Sequence, residues 1–194
     1  MTRRHIHIAV GILLLAVLAW GVNRGLARLA APPSVPGGDA AAGATPPPAV
    51  PHITATLYYA APDGQALIPV RREVPLAEGV VLQGREILTM QLQAAPSPYV
   101  SAIPAGTMLR AFYVTERGDA FVDLSADVSS KHPGGSFTEL LTVYAIVNAV
   151  TANLPTIQRV QILIDGKEAE TLAGHVDLRR PLIRDVTLVR ESET

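Results

Sequence analysis

The stretch from residue 134 to 171 carries the most regular pattern in this sequence of 194 residues. From Ser136 to Asn153 apolar side chains recur every three or four positions, which predicts a helix. Residues 157–165 then alternate apolar and polar side chains, as a strand does, and Asp165-Gly166 predicts a tight turn into a second strand. Such a helix and hairpin must bury one face against other elements, so a folded domain containing both helix and sheet has to surround them.

The predicted helix has clear start and stop signals. Ser136 and Glu139 match the S-x-x-E capping box, in which each side chain satisfies a main-chain amide at the helix start. Asn153-Leu154-Pro155 predicts its end. One apolar face is expected to pack inward, formed by Phe137, Leu140, Leu141, Tyr144, Val147 and Val150 or Thr151.

The chain before this unit predicts two hairpins with a helix between them. Residues 52–60 and 66–75 have strand character around an Asp63-Gly64 turn. Residues 78–93 have helical spacing, with Val81, Ile87, Leu88 and Leu92 as the apolar positions and two glycines that lower helix propensity. Leu109–Thr115 and Asp119–Leu124 form the second predicted hairpin.

The predicted order is therefore β-β-α-β-β-α-β-β. It indicates an α+β fold, an α/β sandwich in which two helices pack on one face of a mixed sheet, preceded by one transmembrane helix. The expected divisions are 1–30 for a membrane anchor or signal segment, 31–51 for a Pro/Gly/Ala-rich linker and 52–175 for the domain. Residues 176–194 form a C-terminal extension that adds a strand or wraps around the domain.

The first 30 residues have the pattern of a membrane-targeting segment. Arg3 and Arg4 precede Ile6–Val22, an apolar run of 17 residues that spans about 26 Å as a helix. An uncleaved anchor is favoured because this run exceeds a usual signal core, and cleavage after Ala27 is the alternative. The chain is thus expected to cross the cytoplasmic (inner) membrane once, with its domain outside the cytoplasm.

Composition and charge exclude several kinds of site and disfavour one class of partner. The sequence has no cysteine, so it has no disulfide, no thiolate metal site and no lipid anchor on a cysteine. Residues 51–194 carry 12 basic and 16 acidic residues, a net charge of −4, which disfavours a nucleic-acid partner.

No motif indicates catalysis. Asp119, Asp123 and Asp127 lack the pattern of a calcium loop, and we expect Asp123 to bind nearby main-chain amides. The histidines, which are His5, His7, His52, His132 and His175, include no H-E-x-x-H zinc motif. Ser125 or Ser136 could meet His132 in space, but no G-x-S-x-G elbow exists, and Ser136 fits a helix cap better. We predict no catalytic, cofactor-binding or metal site, and no enzymatic activity.

Aromatic residues suggest a second kind of surface. Tyr58-Tyr59 and Phe112-Tyr113 are adjacent on predicted strands, and Phe121 lies on the next strand. Adjacent strand residues point to opposite faces, so one member of each pair should face away from the helices. These outward rings either pack across strands or form a binding patch.

Four short motifs resemble the GerMN (sporulation and spore germination) domain family. They are Ile103–Thr107, Val122–Ser125, Gly135–Glu139 and Val160–Gly166, within a resemblance that covers residues 53–172. The resemblance implies an extracytoplasmic domain of the cell envelope that acts as a scaffold or interaction module in envelope assembly or in sporulation and germination. The expected partners are envelope proteins or further copies of the chain. A peptidoglycan-binding module is the alternative.

Overall fold

The computed structural model describes residues 50–191. The predicted anchor and nearly all of the predicted linker lie outside the described residues, as do residues 192–194. No helix between residues 50 and 191 is both long enough and apolar enough to cross a bilayer.

The described chain is a mixed α+β domain whose main elements follow the predicted order. One element was not predicted, a one-turn helix, α2. A short strand, β7, lies in the C-terminal extension, where an added strand was one of the two predicted alternatives. The elements are β1 (His52–Ala60), β2 (Leu67–Pro75), α1 (Val80–Gln91), β3 (Leu109–Val114), β4 (Asp119–Leu124), α2 (Asp127–Ser130), α3 (Ser136–Asn153), β5 (Arg159–Ile164), β6 (Lys167–Glu168) and β7 (Leu182–Ile183).

The strands form two sheets, so the prediction of one mixed sheet was wrong. β1 and β2 make an antiparallel pair of their own, while β3, β4 and β5 lie side by side with β4 and β5 parallel. β6 and β7 pair antiparallel with opposite ends of β5. The sheets stay separate because the second edge of β1 is occupied by other groups. Its main-chain N–H and C=O at Thr56 bond Asn153, those at Tyr58 bond Gln91, and those at Ala60 bond Val100.

Helix α3 lies at the centre of the core, and both longer helices contact both sheets. α3 contacts β1 and β5, whereas α1 contacts β1, β2 and β3 as well as α3. The predicted single apolar face of α3 was therefore wrong: ten residues between Glu139 and Val150 are buried, while Phe137 remains 37% exposed. A helix that is apolar on nearly all sides is typical of a fully enclosed position.

Glycine at position 84 allows α1 to cross β3 closely. A Cβ atom placed on Gly84 would lie 2.2 Å from Cε1 of Phe112, well inside contact distance. The glycine that lowers the helix propensity of α1 is thus required by packing. Val81, by contrast, was expected in the apolar set of this helix and is 38% exposed.

The segment after β6 wraps around the domain and also adds a strand. β7 pairs with β5, and further on Leu67 of β2 bonds the main chain of Leu188 and Arg190. Between them, the side-chain amide of Asn148 in α3 bonds both main-chain groups of Asp185. The C-terminal segment therefore both adds a strand and wraps around the domain, which were the two predicted alternatives.

Candidate functional site

The motif that ends β4 holds the β5–β6 turn. Asp123 is 6% exposed, and its Oδ1 accepts a hydrogen bond of 2.7 Å from the amide of Gly166. Its Oδ2 lies 3.3 Å from Nε of Arg110, which also approaches Asp165 at 3.4 Å. The prediction that Asp123 binds nearby main-chain amides is confirmed. Two of the four motifs are thus joined by one carboxylate.

The motif at Ile103–Thr107 is a tight turn that docks on the end of β4. Thr107 donates from both its amide and its hydroxyl to the carbonyl of Pro104. Ser125 then exchanges hydrogen bonds with the main chain of Met108. The Ser125 hydroxyl, once a candidate nucleophile, therefore serves to join this turn to β4.

Glu139 does not form a capping box, so that prediction was wrong. Gly135 is the N-cap residue of α3, and no side chain caps the helix start. Glu139 is fully buried and accepts hydrogen bonds from the amides of Leu172 and Ala173 on one oxygen. Its other oxygen accepts from the amide of His175 and lies 3.0 Å from Nδ1 of that ring. The carboxylate thus fixes the segment after β6 to α3.

These bonds determine the charge state of the buried carboxyl. Burial by itself raises the pKa of Glu139, but hydrogen bonds from the main chain of Ala173, Val176 and His175 and from the His175 ring outweigh burial. The pKa of Glu139 therefore lies below its ordinary value, and the group is a carboxylate at neutral pH. Both carboxylate oxygens of Glu139 therefore accept hydrogen bonds from groups inside the domain.

His132 has no serine partner. Its Nδ1 accepts from the amide of Gly134 at 3.0 Å, and its Nε2 lies 3.1 Å from the hydroxyl of Thr142. Ser136 is exposed at the start of α3 and forms no hydrogen bond with the ring. Burial lowers the pKa of His132, with the Glu139 charge acting in the opposite direction. Neither Ser125 nor Ser136 is hydrogen-bonded to His132, so neither of the two considered serine–histidine pairs forms.

The other two acids of the aspartate set form separate ion pairs. Asp119 holds Arg159 through two hydrogen bonds of 2.7 and 3.0 Å, directly across the parallel β4–β5 pair. Asp127 pairs with Lys131 one turn further along the chain. Within residues 50–191, no group of three or more metal-ligating side chains comes together.

The aromatic pairs behave differently on the two sheets. Phe112 is 2% exposed and Tyr113 is 59% exposed, as predicted for adjacent residues on a half-covered strand. Tyr58 and Tyr59 are both buried, so neither ring of this pair forms an exposed binding patch. β1 is covered on both faces, and Arg184 of the C-terminal segment bonds the Tyr58 hydroxyl.

Concave surfaces lie around the loop that leads into the Ile103–Thr107 turn. A cavity of about 470 Å³ is bordered by apolar groups from the end of β1, this loop and the start of α3, including Ala60, Val100 and Leu141. A more polar cavity of about 400 Å³ is lined by Tyr99, Asp63 and Arg190 among others. Such hollows are the usual form of small-ligand sites. No sequence signal marked either one.

Comparison with known proteins identifies the family. The family model described as "Germane: Sporulation and spore germination" matches residues 56–170, more than half of the chain. The chain belongs to this family. The expected resemblance to the GerMN family is thereby confirmed, while no curated protein sequence gives a match.

Solved structures share the GerMN fold at low sequence identity. A Clostridium perfringens protein described as a lipoprotein is 20% identical with a TM-score of 0.50, and the match covers 71% of this chain and 91% of that one. The tandem GerMN domains of the sporulation protein GerM from Bacillus subtilis are 17% identical with a TM-score of 0.51. That match covers 70% of this chain and 46% of the tandem pair. At these identities the likeness extends to the fold alone.

Proposed function

We propose that this chain is an extracytoplasmic interaction protein of the cell envelope, with one GerMN domain tethered to the cytoplasmic membrane by the apolar run at residues 6–22. It acts in envelope assembly or in a process of the sporulation and germination type. Its domain works as a scaffold by surface contact and carries out no chemical reaction.

The observation that carries this proposal is the use of the motif side chains. Asp123, Ser125 and Glu139 each bond main-chain groups inside the domain, and Asp123 and Glu139 also contact the side chains of Arg110 and His175. These are acidic and hydroxyl groups of the kind that a catalytic site uses. The family motifs therefore support the fold, and the exposed surface is left for recognition.

Thiol labelling in intact cells tests the location. Because the sequence contains no cysteine, Thr89→Cys on the exposed side of α1 introduces a single thiol. A membrane-impermeant maleimide should label this variant without lysis, and a cysteine at position 2 should react only after permeabilisation. Labelling of residue 89 only after lysis would place the domain in the cytoplasm and refute the proposal.

A second function is favoured by the polar cavity. Tyr99 lies there beside the Asp63–Arg190 ion pair of 3.0 Å, a combination of aromatic ring and charges that suits a glycan or peptide of the cell wall. The full chain should then bind purified peptidoglycan, and Tyr99→Ala should abolish binding while Tyr113→Ala retains it. Equal binding by Tyr99→Ala would remove this alternative.

A further inference from the structure

The polar cavity beside Tyr99 brings three charged side chains together. Asp63 comes from the turn between β1 and β2, whereas Arg190 and Glu191 come from the end of the segment that wraps around the domain. All three charged residues are exposed, so a ligand in solution can reach them. The cavity volume of about 400 Å³ lies within the range of small-ligand sites.

Hydrogen bonds to the main chain fix both partners of the Asp63–Arg190 ion pair. Oδ1 of Asp63 accepts from the amide of Gln65 at 3.0 Å, and the amide of Arg190 donates to the carbonyl of Leu67 at 2.9 Å. The bond from Gln65, followed by the contact with Arg190, holds the pKa of Asp63 below its ordinary value, so this group is charged at neutral pH. Groups fixed before binding lose little freedom when a ligand arrives.

The ion pair leaves part of the hydrogen-bonding capacity of Arg190 unused. Only its Nη2 atom bonds Asp63, at 3.0 Å from Oδ2, and no other residue between 50 and 191 accepts a hydrogen bond from the guanidinium. A guanidinium has five N–H donors in one plane and binds a carboxylate through two of them. Glu191 forms no ion pair within the same range of residues. The cavity therefore offers donors for a carboxylate beside two acids.

Tyr99 adds an aromatic ring at a fixed position. Its amide donates to the carbonyl of Pro96 at 2.9 Å, and the next residue, Val100, exchanges two main-chain hydrogen bonds with Ala60 at the end of β1. The ring lines the cavity and is partly exposed. The face of an aromatic ring attracts an ammonium group, so Tyr99 and the two acids favour a positive charge in the same cavity.

We propose that this cavity binds an α-amino acid group, in which one carbon atom carries both an ammonium and a carboxylate. The remaining N–H groups of Arg190 bind the carboxylate, while Asp63, Glu191 and the Tyr99 ring surround the ammonium. A neutral sugar has neither charge, and an amine alone would leave the donors of Arg190 without an acceptor. The inference rests on the second function proposed above and names the chemical group that the cavity recognises.

The neighbouring apolar cavity favours an α-amino acid group that belongs to a peptide. Ala61 and Pro62 line both cavities, so a ligand held in the polar cavity can extend across these two residues. The apolar cavity, which Val100 and Leu141 border, suits a small apolar residue of the same peptide. A free amino acid would occupy the polar cavity alone.

Co-sedimentation of the full chain with two kinds of purified peptidoglycan tests the recognised group. In uncross-linked wall peptides, the side chain of meso-diaminopimelate carries an ammonium and a carboxylate on one carbon, whereas the side chain of lysine carries the ammonium alone. Loss of one charge-assisted contact costs about tenfold in affinity, so the diaminopimelate type should bind about tenfold more tightly. N-acetylation of its amines should remove this difference. Equal binding to both types would overturn the inference and leave wall binding in place.

Single substitutions assign the two charges. Arg190→Gln should lower the affinity for the diaminopimelate type to that for the lysine type, and Asp63→Asn should weaken binding to both types. Arg117→Gln removes one exposed positive charge from the turn between β3 and β4, and this control should bind like the wild type. All three variants should keep nearly the wild-type melting temperature, because exposed ion pairs contribute little to stability. A folded Arg190→Gln variant that still prefers the diaminopimelate type would overturn the inference.

Calorimetric titration with free meso-diaminopimelate separates the two sources of the group. Binding of the free compound without binding to either peptidoglycan would keep the α-amino acid site and remove the wall-binding function. Absence of binding to all three probes would overturn the inference. The interaction role would then still stand, since thiol labelling tests the location of the domain independently.

Discussion

The side-chain amide of Asn153 takes the place of a neighbouring strand for Thr56. Its Oδ1 accepts from the Thr56 amide at 2.8 Å, and its Nδ2 donates to the Thr56 carbonyl at 2.7 Å. A helix side chain thereby closes the edge of β1 against further strand pairing. Unpaired edges are sites of aggregation, so this residue protects the fold as well as stabilising it.

Replacement of Asn153 should reveal both effects. Asn153→Ala leaves two main-chain groups of Thr56 without partners, and each such group costs about 1–3 kcal/mol when buried. We expect a clear fall in the free energy of urea unfolding and more aggregation on heating. Asn153→Asp replaces the donor with a charged oxygen that faces the carbonyls of Thr56 and Ala149, so it should also lose stability; wild-type stability for either variant would contradict this assignment.

The contact between Gly84 and Phe112 should be intolerant of a single methyl group. Alanine is favoured over glycine in a helix by about 1 kcal/mol, but overpacking costs about 1–3 kcal/mol. We therefore expect Gly84→Ala to lower the melting temperature, and Phe112→Leu to recover part of the loss in the double variant. Thr89→Ala, on the exposed side of the same helix, is the control and should be neutral or stabilising.

Glu139 should make stability fall in acid. Because its folded pKa lies below its ordinary value, its contribution is complete above the ordinary value and is lost as the pH falls through the folded pKa. Urea unfolding of the wild type from pH 7 to 3 should show this loss. Glu139→Gln should be less stable at pH 7 by about 2 kcal/mol, since bonds to a charged acceptor are lost, and the difference should shrink in acid. A constant difference would contradict the assigned charge.

His132 should cause a second loss of stability, at a higher pH than the loss caused by Glu139. Its folded pKa is lowered by burial, so the unfolded chain takes up a proton first and stability falls as the pH drops below about 6.5 toward the folded pKa. Protonation would also make Nδ1 a donor facing the Gly134 amide. His132→Asn should remove this part of the pH dependence, whereas His52→Asn on the exposed start of β1 should leave it intact.

The local pattern of the sequence was sufficient to predict the order of the main elements. Alternation at 109–124 and Asp165-Gly166 located hairpins that the structure contains, because strand period and turn chemistry are local properties. The capping box failed because Glu139 has a better partner more than thirty residues away, in a segment with no regular pattern. The prediction of one mixed sheet failed for a similar reason, since side chains of α1 and α3 close the edge of β1.

The surfaces were less predictable than the fold. Val81 lies at helical spacing from Leu88 and Leu92, so the sequence suggests a core position for it, and the packing of Gly84 on Phe112 turns it outward. The cavities near Tyr99 and Val100 are formed by loops that meet from distant parts of the chain. Neither kind of feature has a local signature that could be recognised before the fold was known.

Sedimentation equilibrium of the full chain in density-matched detergent, over a range of protein-to-detergent ratios, tests the role in surface contact most directly. The proposed scaffold role predicts a reversible shift from the monomer mass to the mass of a defined oligomer as the ratio rises. A single monomer mass at all ratios would contradict self-contact through the domain.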